Sequence, residues 1–495
     1  MKELGEKILE LLSYDAASPL IFSSGLFLYL FAAFFALYLA LRRTTTLRIL
    51  YLIAFSLYFY YKSSGLYFVL LLLAATYDYM IGYSIYLSKS RRTKQWLVGA
   101  SVAINLALLG YFKYTNFLVD ISNQLFGEGF LQFQNIFLPV GISFFVFQSM
   151  SYTIDIYRGQ LRPLGRWTDY LFYLSFFPQL VAGPIVRAKD FIPQIRQRPT
   201  LTREMFGTAL FLIITGLFKK AVISDYIALN FVDRIFDEPL LYSGFECLMG
   251  IYGYALQIYC DFSGYSDMAI GLALLMGFRF PKNFDAPYQS ATITEFWRRW
   301  HISLSSWLRD YLYISLGGNR KGKRRTYLNL LLTMLLGGLW HGAAIRFVLW
   351  GALHGVALAL HKWWLSLVPW AKREGREMNL VMRIFGVVFT FHLVSLGWLV
   401  FRADSMQTVE LLLHQIFTSF DTSLIPQFVS GYAGVTLLLA IGYLMHFSPK
   451  GLDHRVEGLI SRAPMGVQVA MLVAMIWLVM QVKSSDIQPF IYFQF

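Results

Sequence analysis

The segment from Glu295 to His354 reads EFWRRWHISLSSWLRDYLYISLGGNRKGKRRTYLNLLLTMLLGGLWHGAAIRFVLWGALH. Its first part is basic, rich in tryptophan and contains His301. Its second part is apolar and contains His341 within the sequence Gly-Gly-Leu-Trp-His-Gly. Because lipid solvates an ionisable group poorly, an imidazole in a lipid-compatible run indicates a candidate functional site.

The composition places the chain among polytopic membrane proteins. It has 495 residues, of which 57% are hydrophobic and 18% aromatic, and a mean hydropathy of +0.51. Several apolar runs reach about 18 residues or more, the length that spans a bilayer. The net charge of +14 does not indicate nucleic-acid binding, because the basic residues form short blocks between apolar runs, as in cytoplasmic loops. Cys247 and Cys260 predict neither a disulfide framework nor a metal site.

The alternation of apolar runs and basic blocks predicts about 11–12 transmembrane helices, with both termini extracytoplasmic. The first apolar run, 20–41, ends in Arg42 and Arg43 without a cleavage site of small residues, so we expect a span rather than a cleaved signal peptide. No fixed-period repeat or low-complexity linker is evident, which predicts a single integral-membrane domain over residues 1–495. The pattern leaves residues 402–430 unplaced.

Residues 170–185, YLFYLSFFPQLVAGPI, interrupt this pattern. The segment is apolar but short, Pro178 and Pro184 disrupt a helix, and cationic residues flank it on both sides. Irregular backbone persists at membrane depth only where protein buries it or where it lines a watery cavity. We therefore predict a re-entrant loop and a cytoplasm-facing cavity lined by Pro184.

Charged residues also occur at membrane depth in the middle of the chain. The apolar run 243–278 contains Asp261 and Asp267, which should face the protein interior or water. They either hold helices together through hydrogen bonds or, for Asp261, line the cavity. Lys219 and Lys220 lie near the end of the preceding run, and we predict that they snorkel or face a cavity.

The basic segment 279–325 predicts an amphipathic helix at the cytoplasmic membrane surface. With Thr294 as its N-cap, a helix through Arg309 would carry an apolar stripe at 3–4 residue spacing, with its tryptophans at headgroup depth. The stripe consists of Trp297, Trp300, Leu304, Trp307 and Tyr311. His301 borders this stripe and can therefore point inward.

The next apolar run, 326–347, carries His341. Along a continuous helix from Arg325, the imidazole would lie about 24 Å into the membrane, past its midplane. The surrounding glycines either let helices approach closely or leave room for a substrate. We predict that Gly338, Trp340 and Gly342 line a cavity around His341.

Four segments resemble the membrane-bound O-acyltransferase family: FFPQLVAGPI, YCDFSGYSDMAIG, FPKNFDAPYQSATITEFWRRWHISLSSWLRDYLYISLGGNR and GGLWHGAAIRFVLWGALHG. Within the family, the chain looks like the bacterial branch that O-acetylates alginate and peptidoglycan, with D-alanyl-teichoic-acid acyltransferases as near relatives. The resemblance implies a ring of tilted helices with funnels from both sides, in a bacterial cytoplasmic (inner) membrane. It implies a family core at about residues 100–402, with C-terminal helices and an extracytoplasmic tail at 403–495. By motif, His341 matches the family's near-invariant histidine and His301 matches its second polar position.

Acyl transfer from a thioester to a hydroxyl requires removal of the hydroxyl proton, for which a neutral histidine is suited. We predict that His341 is catalytic, and that His301 is catalytic or orients the substrate; packing roles are the alternative. The resemblance implies acetyl-CoA, or another acyl thioester, as donor substrate, with no permanently bound cofactor and no metal. Arg298, Arg299 and Arg309 would bind the donor phosphates, unless they only set the topology.

The final residues, IQPFIYFQF, follow the last apolar run and are predicted to be extracytoplasmic. An aromatic tail of this kind can anchor at the membrane interface. Similar Phe- and Tyr-rich tails of the acetylation relatives imply another hypothesis, in which the hydroxyl of Tyr492 accepts the acyl group as a relay.

The expected function is an integral-membrane O-acetyltransferase that moves acetyl from cytoplasmic acetyl-CoA across the membrane. The acceptor would be an extracytoplasmic polysaccharide, alginate-like or peptidoglycan, and a periplasmic SGNH-type acetyltransferase would complete delivery. Transfer of D-alanyl or another acyl group to a cell-envelope polymer is one alternative. A second alternative is a membrane transporter that moves its substrate without covalent chemistry. Inverted repeats in the sequence would favour a transporter, and no such repeats are evident.

Overall fold

The computed structural model describes residues 2–16, 18–181, 183–368 and 379–482, and over these ranges the chain forms helices and no strands. Two compact units are present. Among the described residues, the first unit comprises 2–209 with 268–281, and the second comprises 210–267 with 282–482. The single-domain organisation expected from the sequence stays a prediction.

The first part of the chain forms ten α-helices before residue 200. They are α1 (Lys2–Leu12), α2 (Gly25–Leu41), α3 (Thr45–Ser64), α4 (Phe68–Leu87), α5 (Arg91–Leu109), α6 (Thr115–Phe126), α7 (Ile142–Tyr157), α8 (Trp167–Ser175), α9 (Phe177–Leu180) and α10 (Ala188–Ile195). A π-helical turn, Gly110–Tyr114, joins α5 to α6.

Fourteen further α-helices follow in the described residues. They are α11 (Arg203–Leu217), α12 (Asp225–Ile227), α13 (Asp233–Asp237), α14 (Gly244–Leu275), α15 (Ile293–Arg299), α16 (Ile302–Trp307), α17 (Lys323–His341), α18 (Ile345–Leu367), α19 (Leu380–Arg402), α20 (Met406–Thr418), α21 (Ile425–Gly431), α22 (Ala433–Phe447), α23 (Lys450–Arg462) and α24 (Met465–Val482). The unplaced segment 402–430 is thus largely helical. Two π-helical segments, Phe218–Ser224 and Ala228–Val232, continue α11 towards α13.

Five helical stretches of the described chain are long and apolar enough to cross a membrane, and a sixth is present if a pair bent by 97° counts as one span. The five are Thr45–Leu87, Arg91–Phe126, Arg203–Asp237, Leu380–Arg402 and Met465–Val482, and the bent pair is Thr422–Gly431 with Ala433–Phe447. The other crossings expected from the charge pattern fall short of this criterion, so their total stays a prediction.

The first apolar helix begins later than its run of residues indicated. The span was expected at 20–41, whereas α2 begins at Gly25 because the Ser24 hydroxyl caps it, accepting a hydrogen bond from the Phe27 amide at 3.2 Å. Residues 20–24 are buried without being helical. A buried apolar run therefore does not by itself fix where a helix starts.

The irregular segment expected at 170–185 is present and buried. Helix α8 ends at Ser175, and Phe176 separates it from the short α9. A side chain at Gly183 would lie 2.3 Å from the carbonyl oxygen of Pro178, so the chain folds back closely on itself here. Pro184 is buried in this first unit.

Helices α17 and α18 form an antiparallel hairpin, which corrects the expected continuous helix over 326–347. Helix α17 ends at His341, and Gly342 continues in an extended conformation. A Cβ atom at Gly338 would lie 2.1 Å from the carbonyl oxygen of Phe347, and one at Gly351 would lie 2.3 Å from that of Met334. These glycines therefore allow close helix approach, the first of the two interpretations of this glycine-rich segment.

The expected amphipathic helix over 294–309 is also interrupted, and its cap is different. The hydroxyl of Thr292, not Thr294, accepts the Glu295 amide at 3.1 Å, and α15 ends at Arg299. His301 then adopts φ = +43°, a left-handed conformation that an α-helix cannot contain. The stripe residues pack into the protein, where Trp300 and Leu304 are almost fully buried, rather than facing headgroups.

The lysines near the end of α11 form ion pairs in the second unit. Lys219 contacts Asp267 at 2.7 Å, while Lys220 contacts Asp225 at 2.7 Å and also Asp261. The side chain of Lys220 is 3% exposed, which excludes snorkelling for this residue; the other expectation, that it faces a cavity, stays a prediction. Asp261 and Asp267 thereby hold α14 against the segment that continues α11, whereas Asp225 lies within that segment.

Candidate active site

Asn283 holds His301 in a defined orientation. The Nδ1 atom of His301 lies 3.2 Å from Oδ1 of Asn283, which also accepts the backbone amide of Ser303 at 3.1 Å and its hydroxyl at 2.9 Å. Because the backbone amide of Ser303 can only donate, the atom that accepts it must be Oδ1 of Asn283, while Nδ2 donates to Ser266 at 3.1 Å. The Nδ1 atom of His301 therefore carries the proton. The lone pair of the neutral imidazole is therefore on Nε2.

The surroundings of His301 favour the neutral form. The residue is fully buried and lies outside the candidate spanning helices. Its ring packs edge-on against Phe262, with ring centroids 4.5 Å apart. Burial lowers the pKa of the His301 imidazole from 6.5 to about 3, because the charged form would lose its hydration. The imidazole is consequently neutral across the physiological range.

His341 lies at the end of α17 within a cage of aromatic rings. The centroid of its ring is 5.0 Å from that of Trp340, 5.0 Å from that of Trp350 and 5.5 Å from that of Phe401. The residue is 3% exposed. The end of the helix at Gly342 brings this imidazole to the turn of the hairpin, rather than to the middle of a continuous helix.

Trp340 contacts both candidate catalytic histidines. Its ring centroid is 6.3 Å from that of His301 and 5.0 Å from that of the adjacent His341. The two imidazoles, which are far apart in the sequence, therefore share one indole neighbour. Imidazoles are the side chains best suited to accept and return a proton during attack of a hydroxyl on an acyl group.

A third histidine extends this cluster along α18. Nδ1 of His354 accepts a hydrogen bond from the indole Nε1 of Trp297 at 3.3 Å, and its ring is 4.8 Å from that of Trp350. A Cβ atom at Gly397 on α19 would lie 3.0 Å from Nε2 of His354. His354 therefore packs against Trp350, which in turn packs against the ring of His341.

The three predicted donor-binding arginines have different surroundings. Arg299 pairs with Glu295 at 2.5 Å, and Arg309 pairs with Asp310 at 2.6 Å. Arg298 is exposed and has no acidic partner among the described residues. Because a carboxylate already neutralises Arg299 and Arg309, Arg298 is the arginine best suited to contact an anionic ligand.

The remaining predicted site residues have the following positions. His301, Trp340, His341, Gly338, Gly342 and Asp261 belong to the second unit, and Pro184 belongs to the first. Tyr492 lies outside the described residues. Across the described ranges, no three His, Cys, Asp or Glu side chains gather as metal ligands would.

Asn283 is not among the site residues predicted from the sequence. It precedes His301 by 18 positions, and no periodicity relates the two. The indirect signal was its place in FPKNFDAPY, within one of the segments that carry the family resemblance. Only the fold shows that its side chain sets the tautomer of His301.

Comparison with known proteins identifies one family and several relatives. The family model of membrane-bound O-acyltransferases matches residues 57–401. A probable alginate O-acetylase of Pseudomonas putida is 38% identical over 96% of this chain and 100% of its own length. A peptidoglycan O-acetyltransferase of Helicobacter pylori is 36% identical over 72% of each chain. A teichoic acid D-alanyltransferase of Bacillus subtilis is 29% identical over 54% of this chain and 69% of its own length.

Proposed function

The chain belongs to the membrane-bound O-acyltransferase family, and on that premise we propose that it O-acetylates an extracytoplasmic polysaccharide, using acetyl-CoA from the cytoplasm as donor. An alginate-like exopolysaccharide or peptidoglycan is the acceptor in this proposal, since relatives with these names align over most of the chain. The D-alanyltransferase relative aligns over a smaller part, which favours acetyl over D-alanyl. The proposed location is a bacterial cytoplasmic (inner) membrane, with both termini extracytoplasmic.

One observation supports the chemistry of this proposal, namely that two buried imidazoles, those of His301 and His341, share Trp340 as a ring neighbour. In the proposed reaction, the acceptor oxygen attacks the thioester carbonyl while His341 removes the hydroxyl proton. The carbon–sulfur bond then breaks, and the proton returns to the leaving thiolate, so atoms and charge balance. His301, held by Asn283 as the Nδ1-protonated tautomer, orients a hydroxyl or thiol through its Nε2 lone pair.

The donor is proposed to bind at the basic segment 279–325. Residues 279–325 contain ten Lys and Arg residues, and phosphates of coenzyme A would be neutralised there. Arg298 is the proposed contact because it is exposed, whereas Arg299 and Arg309 already pair with carboxylates. Coenzyme A is a substrate in this scheme, and no permanently bound cofactor is invoked.

The acceptor side of the proposal includes a relay and a partner. Tyr492, in the aromatic tail of the sequence, would accept the acetyl group on its phenolic oxygen. A periplasmic SGNH-type acetyltransferase would then move the group to the polysaccharide. The aromatic composition of the tail, IQPFIYFQF, supports this order because it suits a membrane–water interface.

The donor and the relay are tested together by reconstituting the full chain in membranes with isotopically labelled acetyl-CoA. We expect a labelled ester on wild-type protein, sensitive to hydroxylamine, and its loss in Tyr492→Phe, because phenylalanine has no oxygen to acylate. Tyr157→Phe, at the end of α7, is the matched control and should retain the label. Labelling of Tyr492→Phe at the wild-type level would exclude the relay, and labelling only from a D-alanyl donor would exclude acetyl-CoA as the donor.

Substitution of Asn283 by aspartate tests whether it positions His301. The carboxylate still accepts from Nδ1 of His301 but adds a negative charge, which should raise the pKa of the imidazole by roughly 1–3 units above its lowered value. We expect the acid limb of the pH–rate profile to move upward, with activity near pH 8 changed less than at pH 5.5. Ser306→Ala, which removes a hydroxyl that donates to the carbonyl oxygen of Ser303 and not to Asn283, is the control and should keep the wild-type profile. An Asn283→Asp profile that superimposes on that of the wild type would show that His301 does not titrate in the reaction.

A further inference from the structure

The end of α2 and the segment that leads into α11 form a cationic cavity in the first unit. It has a volume of about 340 Å³, and its walls include Arg42, Arg43, Arg198, Thr200 and Thr202. None of the residues that line it is acidic. Three guanidinium groups around one cavity repel each other unless an anion lies between them.

Within the described residues, the three arginines differ from their neighbours because no carboxylate pairs with them. The adjacent Arg196 forms a bidentate pair with Asp169 at 2.6 and 2.7 Å, and the nearby Arg48 donates to the carbonyl oxygen of Ile195 at 2.7 Å. By contrast, the side chains of the arginines that line the cavity contact no carboxylate in the described part of the chain. A missing counter-charge in a concave site indicates a ligand that supplies it.

Contacts from other elements fix the walls of this cavity. The hydroxyl of Tyr38, one turn before Arg42, donates to the carbonyl oxygen of Met276 at 2.5 Å. Gly277 lies against Pro199 so closely that a Cβ atom there would be 2.6 Å from the Cβ of this proline. These contacts fix the backbone on both sides of the cavity, and the exposed side chains of Arg43 and Arg198 extend from that fixed backbone.

The cavity also contains the start of a helix. The hydroxyl of Thr202 accepts the backbone amide of Met205 at 3.1 Å and so caps α11, which leaves its own hydrogen to donate. The amino end of a 15-residue helix carries a partial positive charge that favours anions. Guanidinium groups, hydroxyls and a helix amino end together form the donor set that suits phosphate oxygens.

We propose that this cavity binds a phosphate group presented at the membrane surface. Helix α2 is apolar along its length and ends directly before Arg42, which would place the cavity at headgroup level in a bilayer. An anionic phospholipid or a soluble phosphate-bearing ligand could present this group, and both share the same oxygen acceptors. This inference does not depend on the proposed acyl transfer, since none of these residues belongs to the histidine cluster.

The test compares the full-length wild type with the triple variant Arg42→Gln, Arg43→Gln, Arg198→Gln. Native mass spectrometry with phosphatidylglycerol measures the lipid arm, and calorimetry with pyrophosphate measures the soluble arm. Because a charge-assisted contact contributes roughly tenfold in affinity or more, we expect the triple variant to bind at least about 100-fold more weakly in one of the arms. Weaker binding of phosphatidylglycerol would identify a phospholipid as the source of the phosphate group, and weaker binding of pyrophosphate would identify a soluble ligand.

A matched control removes the same charge elsewhere. Arg91→Gln, Arg92→Gln and Lys94→Gln change three cations in the first turn of α5, which do not line this cavity. The control should bind as the wild type does, and equal thermal unfolding midpoints show that both variants fold. Unchanged binding by the cavity variant in both arms, or equal losses in cavity and control variants, would overturn the proposal.

Discussion

Replacing His341 by alanine is expected to lower the rate of acyl transfer by about 10²–10⁴-fold, the usual contribution of a positioned general base. The imidazole lies at the end of α17 against the rings of Trp340, Trp350 and Phe401, in reach of a proton that is removed in the proposed reaction. Since a base acts only as the bond forms, kcat and kcat/KM should fall together, with little change in KM. The measurement is steady-state acetyl transfer by reconstituted protein at saturating acceptor.

The control for this prediction is His414→Ala. His414 is exposed on α20, so its loss should leave the rate within about twofold of wild type. His341→Gln, which keeps the side-chain volume and hydrogen bonding but cannot accept a proton near neutrality, should be as slow as His341→Ala. Wild-type rates for His341→Gln, with slow His341→Ala, would assign His341 a packing role instead.

Lys220 is the residue whose replacement should cost the most stability. It is buried between Asp225 and Asp261, so Lys220→Met leaves two carboxylates without their shared cation in a low-dielectric environment. Removal of one partner from a buried ion pair costs about 3–5 kcal/mol. We expect this loss in the free energy of unfolding, measured by denaturant titration in detergent micelles.

A rescue variant distinguishes the charge from the packing of the lysine stem. Lys220→Met combined with Asp225→Asn and Asp261→Asn removes all three charges and should recover most of the lost stability, because no uncompensated ion remains. Lys189→Met, at an exposed position of α10, should change stability by less than about 0.5 kcal/mol. If the triple variant were no more stable than Lys220→Met, the ion pairs would not be the cause.

Features that depend on residues adjacent in the sequence were predicted correctly. The all-α fold, the membrane location and the family are confirmed, since long apolar runs and specific motifs carry them. The broken segment at 170–185 followed from its prolines, and the inward orientation of His301 followed from its place beside the tryptophan stripe. The roles of His341, His301 and Tyr492 stay predictions, tested by the variants described above.

Elements that depend on distant contacts were not predicted. The break at His301 needs Asn283, which binds the backbone and side chain of the following turn from another part of the chain. The end of α17 at His341 depends on the approach of α18, where Gly338 and Gly351 meet backbone oxygens of the opposite helix. Helical periodicity reflects only contacts between residues of one helix. A prediction based on periodicity therefore extended both helices beyond the residues at which they end.

The sequence by itself determined that this chain is a helical membrane protein of a known acyltransferase family, because apolar run length, basic blocks and contiguous motifs are properties of adjacent residues. Only the tertiary structure decided that His301 and His341 share the indole of Trp340, and that Asn283 selects the proton position on His301. It also decided which arginines and lysines have carboxylate partners. Ion pairs and tautomers depend on atoms brought within about 3 Å by folding, and spacing along the chain does not encode that distance.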